Sequence, residues 1–214
     1  MNLILMGAPG AGKGTQSERI SEQWGIPAIS TGEILRAAIK AGTELGKKAK
    51  VLIDAGQFVP DDVMIAIIKE TLSSKACKNG FILDGFPRSI PQAEALEAMG
   101  VHIDCALSLE VSDDVIVERM AGRRICSKCG ASYHTEHKKP KRENICDRCG
   151  ASLYIRTDDA AETVKNRLEV FHEQTEPLKS FYEERGLLKC VNSEVGVDET
   201  TSLVFEALSE VKKP

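Results

Sequence analysis

The chain is poor in aromatic side chains: one Trp, three Tyr and six Phe make up 5% of 214 residues. That scarcity argues against a surface built to stack unpaired bases, because single-stranded nucleic acid is gripped on rows of rings. A strong charge of either sign is also missing. Twenty-eight Lys and Arg against 32 Asp and Glu leave −4, far from the basic balance of a protein that coats nucleic acid. No apolar run approaches the roughly 20 residues that a membrane span needs. The opening "LILM" (3–6) is too short for the core of a secretory signal. Repeats and low-complexity tracts are absent. The seven cysteines are odd in number, and Cys77, Cys105 and Cys190 stand alone, which suits a reducing, cytoplasmic setting better than a disulfide scaffold. The four histidines (His102, His134, His137, His172) follow no ligand spacing, so surface or packing roles are expected of them. Trp24 is expected to pack a helix end.

What remains is ordinary globular material, 42% hydrophobic and 28% charged, long enough for one sizeable core. Short apolar runs read as strands at 2–6, 81–84, 104–111 and 187–191. Their near-continuous hydrophobicity suits a parallel sheet buried on both faces. Helical patterns fall between them, at about 13–24, 61–73, 90–99, 113–121, 160–184 and 198–211. The alternation predicts an α/β fold with a central parallel sheet flanked by helices. Two segments interrupt it. Residues 30–59 hold two helical stretches with no strand between them, opened by a capping-box pattern at Ser30 and Glu33. Residues 122–159 are polar, with Asp159 and Glu162 expected to cap the helix that resumes the core. That second segment carries nine Lys and Arg against five acids, a surplus of +4, so the rest of the chain is −8.

"GAPGAGKGT" (7–15) lies between the first strand and the first helix, the context in which backbone N–H groups and a helix N-terminus cradle phosphate. Gly7, Gly10 and Gly12 permit close approach or positive φ, and Lys13 adds a point charge. An ordinary glycine turn would not need that lysine. The general motif places Ser or Thr directly after the lysine, for Mg²⁺; here Gly14 follows, and the hydroxyl arrives one residue late on Thr15. "FILDGFPRS" (81–89) ends a strand on Asp84, and in an open α/β sheet the strand C-termini face the ligand crevice. Asp84 is therefore a candidate to hold Mg²⁺, directly or through water. A turn-forming role at its Asp-Gly pair explains the residue equally well on its own.

Arginines are more numerous than one polyphosphate needs. Arg119 and Arg123 lie one helical turn apart, where like charges repel by about 0.2–0.5 kcal/mol unless an anion intervenes. Arg36, Arg156 and Arg167 sit in or beside the two insertions, while Arg19, Arg142 and Arg185 read as solvated. Two phosphorylated ligands and phosphoryl transfer would account for the first group, since that chemistry is mainly positioning and charge stabilisation. Cys126 and Cys129, then Cys146 and Cys149, form two Cys-x-x-Cys pairs at zinc-knuckle spacing. Four thiolates close a tetrahedral shell, so one structural Zn²⁺ per chain is expected. It would hold together a segment too polar to build its own core. Two disulfides are the alternative, disfavoured by the reducing setting. Tyr133 and Tyr154, the only aromatics there, are thin for base stacking.

Together, "GAPGAGKGTQ" (7–16), "STGEILR" (30–36), "LDGFPRSIPQA" (83–93), "GRRICSKCGASYH" (122–134), "IRTDD" (155–159) and "VKNRL" (164–168) closely resemble the adenylate kinases, of the bacterial long-lid kind with a zinc-bearing lid. The resemblance runs over essentially the whole chain. It implies the P-loop nucleoside monophosphate kinase fold with two inserted mobile subdomains, and transfer of a phosphoryl group from MgATP to AMP to give two ADP. The core would be 1–29, 60–121 and 160–214, with 30–59 closing over AMP and 122–159 over ATP. Gly122 and Thr157-Asp158-Asp159 would be hinges.

By the same resemblance, Gly10, Ala11, Gly12, Lys13, Gly14 and Thr15 would hold the ATP phosphates, with Arg119 against the adenine and Arg123 reaching in from the lid. Ser132 and Tyr133 would lie near the base or ribose, and Val195 would contribute from the loop after the last strand. Around AMP it places Thr31, Arg36, Gln57, Phe58, Val59, Gly85, Phe86, Pro87, Arg88 and Gln92, with Gln92 reading adenine. Lys13, Arg88, Arg123, Arg156 and Arg167 would stabilise the transferring group, and Asp84 would orient the Mg²⁺ shell. Gly-Lys-Gly-Thr is then the form this family's loop takes. Glu33 stands where many relatives have Asp, a change expected to be neutral. A cytoplasmic monomer with neither a nucleic-acid nor a membrane partner completes this reading. Its alternatives are a kinase for another base or a GTP donor, and a phosphate-loop ATPase whose zinc ribbon binds nucleic acid. The GTPase motif Asn-Lys-x-Asp is absent.

Overall fold

The computed structural model describes residues 1–211. In chain order the first half runs β1 (Asn2–Met6), α1 (Lys13–Trp24), β2 (Ala28–Ser30), α2 (Thr31–Lys40), α3 (Glu44–Asp54), α4 (Asp61–Leu72), β3 (Phe81–Asp84) and α5 (Ile90–Ala98). The second half runs β4 (Cys105–Glu110), α6 (Asp113–Gly122), β5 (Arg123–Cys126), β6 (Ser132–His134), β7 (Leu153–Tyr154), α7 (Ala161–Val170), α8 (Leu178–Glu183), β8 (Leu188–Asn192) and α9 (Val197–Ser209).

Five strands form one parallel sheet in the order β2-β3-β1-β4-β8. Because β1 lies between β3 and β4, the loops leaving these strands open at a switch in strand order, where such sheets place their ligands. Burial on both faces explains the unbroken apolar strands. Leu3, Leu5 and Leu107 pack with Ile20, Ile116 and Val204 on one side, while Ile4, Leu83 and Ala106 pack with Ile68, Phe86 and Leu96 on the other. Trp24 meets Phe205 edge-on at 5.0 Å, closing the end of α1 on α9 as expected.

The structure departs from the sequence reading in four places. Strand β2 was not anticipated, for three residues are too few to show alternation. Only pairing of Ala28–Ser30 with Ile82–Asp84 defines it. The helix expected over 160–184 is broken. Pro177 has no N–H to give to the preceding turn, and the chain widens into a π turn at Phe171–Thr175, closed by Glu176 N–H donating to Phe171 O. Ser30 stands at the N-cap of α2, yet no side chain caps that helix. Asp159 caps nothing either: the N-cap of α7 is Ala160, and the Asp159 carboxylate is bound by Arg123.

Residues 122–159 fold into a small antiparallel sheet, order β6-β5-β7, with only Cys126, Tyr133, Cys146 and Leu153 buried inside it. Gly122 at its entry packs under the His134 ring, which a Cβ there would meet at 2.2 Å and have to displace. The segment meets both the core and the other insertion: Arg148 pairs with Glu18 of α1 at 2.7 Å, and Thr157 donates to Asp54 of α3 at 3.0 Å. No helix among the described residues is long and apolar enough to cross a membrane.

Leu107, fully buried at the sheet centre, gives a direct test of this core. Truncation to alanine is expected to cost about 2–5 kcal/mol of unfolding free energy, read as a lower urea midpoint with unchanged slope.

Candidate active site

The phosphate loop, Thr31 and the segment from Asp84 to Arg88 all lie at the C-terminal ends of parallel strands, β1, β2 and β3. The loop after β1 turns through Gly7, Gly10 and Gly12 at φ of 134°, 88° and 97°, a region closed to most side chains. A Cβ on Gly10 would also strike Met120 Sδ at 2.9 Å. Gly12 is the N-cap of α1 and brings no side chain to cap it, so the first N–H groups of that helix face the crevice without an intrahelical partner. Lys13 Nζ donates to Gly7 O and Ala8 O at 2.7 and 2.8 Å, which folds the ammonium over its own loop. Ser193, after β8, clamps the loop from below by donating to Ala11 O at 2.8 Å.

Asp84 ends β3 beside this loop. A Cβ on Gly14 would lie 3.9 Å from Asp84 Oδ2, so the carboxylate faces the position where the general motif carries its hydroxyl. Burial raises the Asp84 carboxyl above its usual range, against the pull of Lys13, Arg88 and Arg36. Burial also lowers Lys13 to about 8, with Asp84 opposing and Arg88, Arg167 and Arg123 adding to the shift.

The arginines converge on the same crevice. Arg123 grips Asp159 with two nitrogens, the Nε contact at 2.7 Å, and Arg156 grips Asp158 in the same forked manner. Arg167 reaches Asp158 O at 2.8 Å and the Asp158 and Asp159 carboxylates at 3.2 and 3.4 Å. Burial alone would raise the Asp158 carboxyl, but Arg156, Arg167 and Arg123 hold it below its usual range. Arg36 and Arg167 are both lowered to about 10, first by burial; Arg156 adds to the shift at Arg36, and Asp158 opposes it at Arg167. Six cations (Lys13, Arg36, Arg88, Arg123, Arg156, Arg167) thus share a crevice with three carboxylates (Asp84, Asp158, Asp159), a surplus of three positive charges. Arg119 lies at the rim, its guanidinium donating to Ser193 O at 2.6 Å, which brings it beside the loop containing Val195.

Next to the crevice is a pocket lined by Thr31, Leu35, Ile53, Gln57, Phe58, Val59, Met64, Gly85, Arg88 and Gln92. Thr31 donates to Gly85 O at 2.9 Å, and the Arg88 guanidinium lies 5.0 Å from the Phe58 ring centre. Gln92 is held at both ends: its Nε2 donates to Asp61 at 2.6 Å, and its Oε1 accepts from Arg88 N–H at 2.8 Å. Both partners have fixed roles, so the amide can face only one way, with one N–H and one lone pair left over.

The side chains of three residues expected at the nucleotides point elsewhere. Phe86 and Pro87 are buried behind the pocket, Phe86 completely, and support its floor without lining it. The Tyr133 hydroxyl points into the cysteine cluster, accepting from Asp147 N–H at 2.8 Å beside Cys146 Sγ at 3.4 Å; Ser132 next to it is half-buried. The sequence reading missed Leu35, Ile53 and Met64, which carry no signal beyond helical apolar spacing. It also missed Asp61, and the true partners of Asp158 and Asp159, for which "IRTDD" offered the residues but not the pairing. Thr175, turned inward by the π turn, fixes the pocket loop by donating to Arg88 O at 2.8 Å.

The four lid cysteines come together as the spacing predicts, each offering a sulfur within 4.8 Å of the others. Cys126 and Cys149 are 3.4 Å apart at sulfur, and Cys129 and Cys146 3.6 Å. Four sulfurs about 2.3 Å from a tetrahedral zinc would stand about 3.8 Å apart, so the donor set fits a metal. All four are free thiols.

A phosphate loop, a separate pocket with its own phosphate-facing arginine and a cationic bridge between them define a P-loop kinase of the nucleoside monophosphate class. The family profile described as adenylate kinase matches residues 5–187. The chain is 54% identical to an adenylate kinase of Acetivibrio thermocellus over 99% of its own length and all of that protein's. It is 52% identical to an adenylate kinase of Bacillus subtilis over the full length of both, and 52% identical to one of Methanosarcina mazei over 99% and 98%. The chain belongs to the adenylate kinase family, and its activity is ATP:AMP phosphotransfer.

The lowered Lys13 gives a pH signature. Its ammonium binds phosphate only when charged, so kcat/KM for ATP, which reports groups of the free enzyme, is expected to fall as pH rises through about 8. A profile between pH 6.5 and 9.5 checks this; a flat line to 9.5 would contradict it.

Proposed function

We propose that the phosphate loop holds the triphosphate of MgATP, that the pocket under Thr31, Gln57–Val59 and Gln92 holds AMP, and that the six cations between them stabilise the transferring group. The observation that carries this reading is the surplus of three positive charges, which two facing phosphates would neutralise. An oxygen of the AMP phosphate bonds to the γ-phosphorus while the bond to the β-γ bridging oxygen breaks. No protein base is needed, so positioning and charge supply the catalysis. Arg88 takes the AMP phosphate, with Arg36 and Arg156 behind it. Arg123 and Arg167 span the gap, and Lys13 follows the β- and γ-phosphates. The spare N–H and lone pair of Gln92 match the donor and acceptor that adenine offers side by side.

Asp84 is the carboxylate for the Mg²⁺ shell, which supplies charge neutralisation across the β- and γ-phosphates when bound. Arg119 and the Val195 loop cover the adenine of ATP, with Ser132 and the backbone of Tyr133 on its lid side. Leu35, Ile53 and Met64 complete the acceptor pocket. Residues 122–159 act as a lid and 30–59 as an acceptor flap, and closure excludes the water that would otherwise compete for the phosphoryl group. Cys126, Cys129, Cys146 and Cys149 hold one structural Zn²⁺. The enzyme works as a cytoplasmic monomer without nucleic acid.

ADP production from ATP should depend on AMP, with AMP the best acceptor in a panel of monophosphates. Faster turnover of UMP or CMP, or of GTP as donor, would point to the kinase for another base. Lys13→Ala and Arg88→Ala are expected to lose about 10²–10³ or more in kcat with circular dichroism unchanged. A Cys146→Ser, Cys149→Ser double variant should melt at a lower temperature yet retain turnover in the cold, and metal analysis of the purified protein should give about one zinc per chain.

A further inference from the structure

The Tyr133 side chain makes contacts that the nucleotide site does not use. Its ring, 7% exposed, packs into the lid core with Cys126, Cys146 and Leu153. Its phenol oxygen has two polar neighbours, Asp147 N–H at 2.8 Å and Cys146 Sγ at 3.4 Å. The backbone N–H can only donate, so it occupies a lone pair of the phenol. A metal-ligating sulfur carries no proton. Between phenol and sulfur, the hydrogen must therefore come from the phenol.

We infer that Tyr133 is a positioning residue for the lid metal: its O–H donates to Cys146 Sγ while its oxygen anchors Asp147 N–H. The inference rests on the reading of the four cysteines as a metal site. One side chain thereby fixes both a ligand sulfur and the backbone of the turn that carries it. Position in the sheet gives this contact its reach. Tyr133 lies on β6, paired with Arg124 of β5, and β5 ends on Cys126 of the other knuckle. In that first knuckle, Cys126 Sγ accepts from the N–H groups of Lys128 and Cys129 at 3.4 and 3.5 Å. Among the described residues, Cys146 alone has a tyrosine hydroxyl on its sulfur. A hydrogen bond to a ligating thiolate disperses its charge and fixes its direction, and outer contacts of this kind are worth about 10–100-fold in metal affinity.

The test uses the full chain and Tyr133→Phe, which keeps the ring and removes both hydrogen bonds. Zinc affinity by competition with a chromogenic chelator is expected to weaken about tenfold or more. The melting temperature of the zinc-loaded form should drop by more than that of the metal-free form. Equal zinc affinity would overturn the inference. Equal drops in both forms would also overturn it, because a tyrosine that merely packs the lid destabilises both alike. If the wild-type chain takes up neither zinc nor iron, the metal reading itself fails, and this inference with it. Should the Phe variant not fold, the wild type made with 3-fluorotyrosine and loaded with Co²⁺ supplies a second readout. Its phenol is a stronger donor, so the sulfur-to-metal absorption band is expected to move to higher energy relative to unlabelled protein. An unmoved band would count against the contact.

Discussion

Six positive side chains in one crevice repel one another, and the fold has to hold them there before any substrate arrives. Asp158 and Asp159 are the means. Each takes a forked grip from one arginine, and both lie within reach of Arg167. The Asp159 side chain is fully buried and that of Asp158 nearly so. Buried ion pairs of this sort contribute little net stability once desolvation is counted. What they supply is placement, and a deliberately incomplete neutralisation. The charge left over is of the sign that phosphate ligands neutralise, and it needs the sheet, the loops and the connection from residues 122–159 to stay in register.

The rest of the architecture follows from that need. Asp158 and Asp159 lie where residues 122–159 rejoin the core, so this inserted segment also carries the counter-charges that organise the crevice. The sheet brings Lys13, Asp84 and Ser193 together from three separate strand ends. The break at Pro177 looks like a defect of a long helix, yet it turns Thr175 onto the backbone of Arg88. Helix irregularities of this kind often sit at functional positions. Here the irregularity steadies an arginine that faces both the acceptor pocket and the phosphate loop.

The lid meets a different constraint. Its apolar interior amounts to Cys126, Tyr133, Cys146 and Leu153, too little to balance the entropy of ordering such a segment. Cysteine spacing foretold the cluster of four sulfurs, because that geometry is local: two residues between paired cysteines suffice to bring both sulfurs to one point. The same locality made the phosphate loop legible. Three glycines, a lysine and the flanking strand and helix all lie within about 20 residues, and the backbone conformation they need is written in residue types.

Gln92 and Thr31 were readable through resemblance, but Asp61, which orients the Gln92 amide from 31 residues away, was not. Arg123 stood out in the sequence, whereas its partner, 36 residues on, resembled a helix cap. Tyr133 showed the sharpest division. Its position beside Ser132 placed it with the nucleotide, and only the folding of 144–154 back across β5 put Cys146 and Asp147 against its hydroxyl. Residue type and short-range spacing therefore determined the fold class, the phosphate loop, the four-cysteine cluster and the family. Which carboxylate each arginine meets, which way Gln92 faces and where Tyr133 points were decided by tertiary contact. Side-chain direction depends on neighbours brought together across the chain, and no local pattern encodes them.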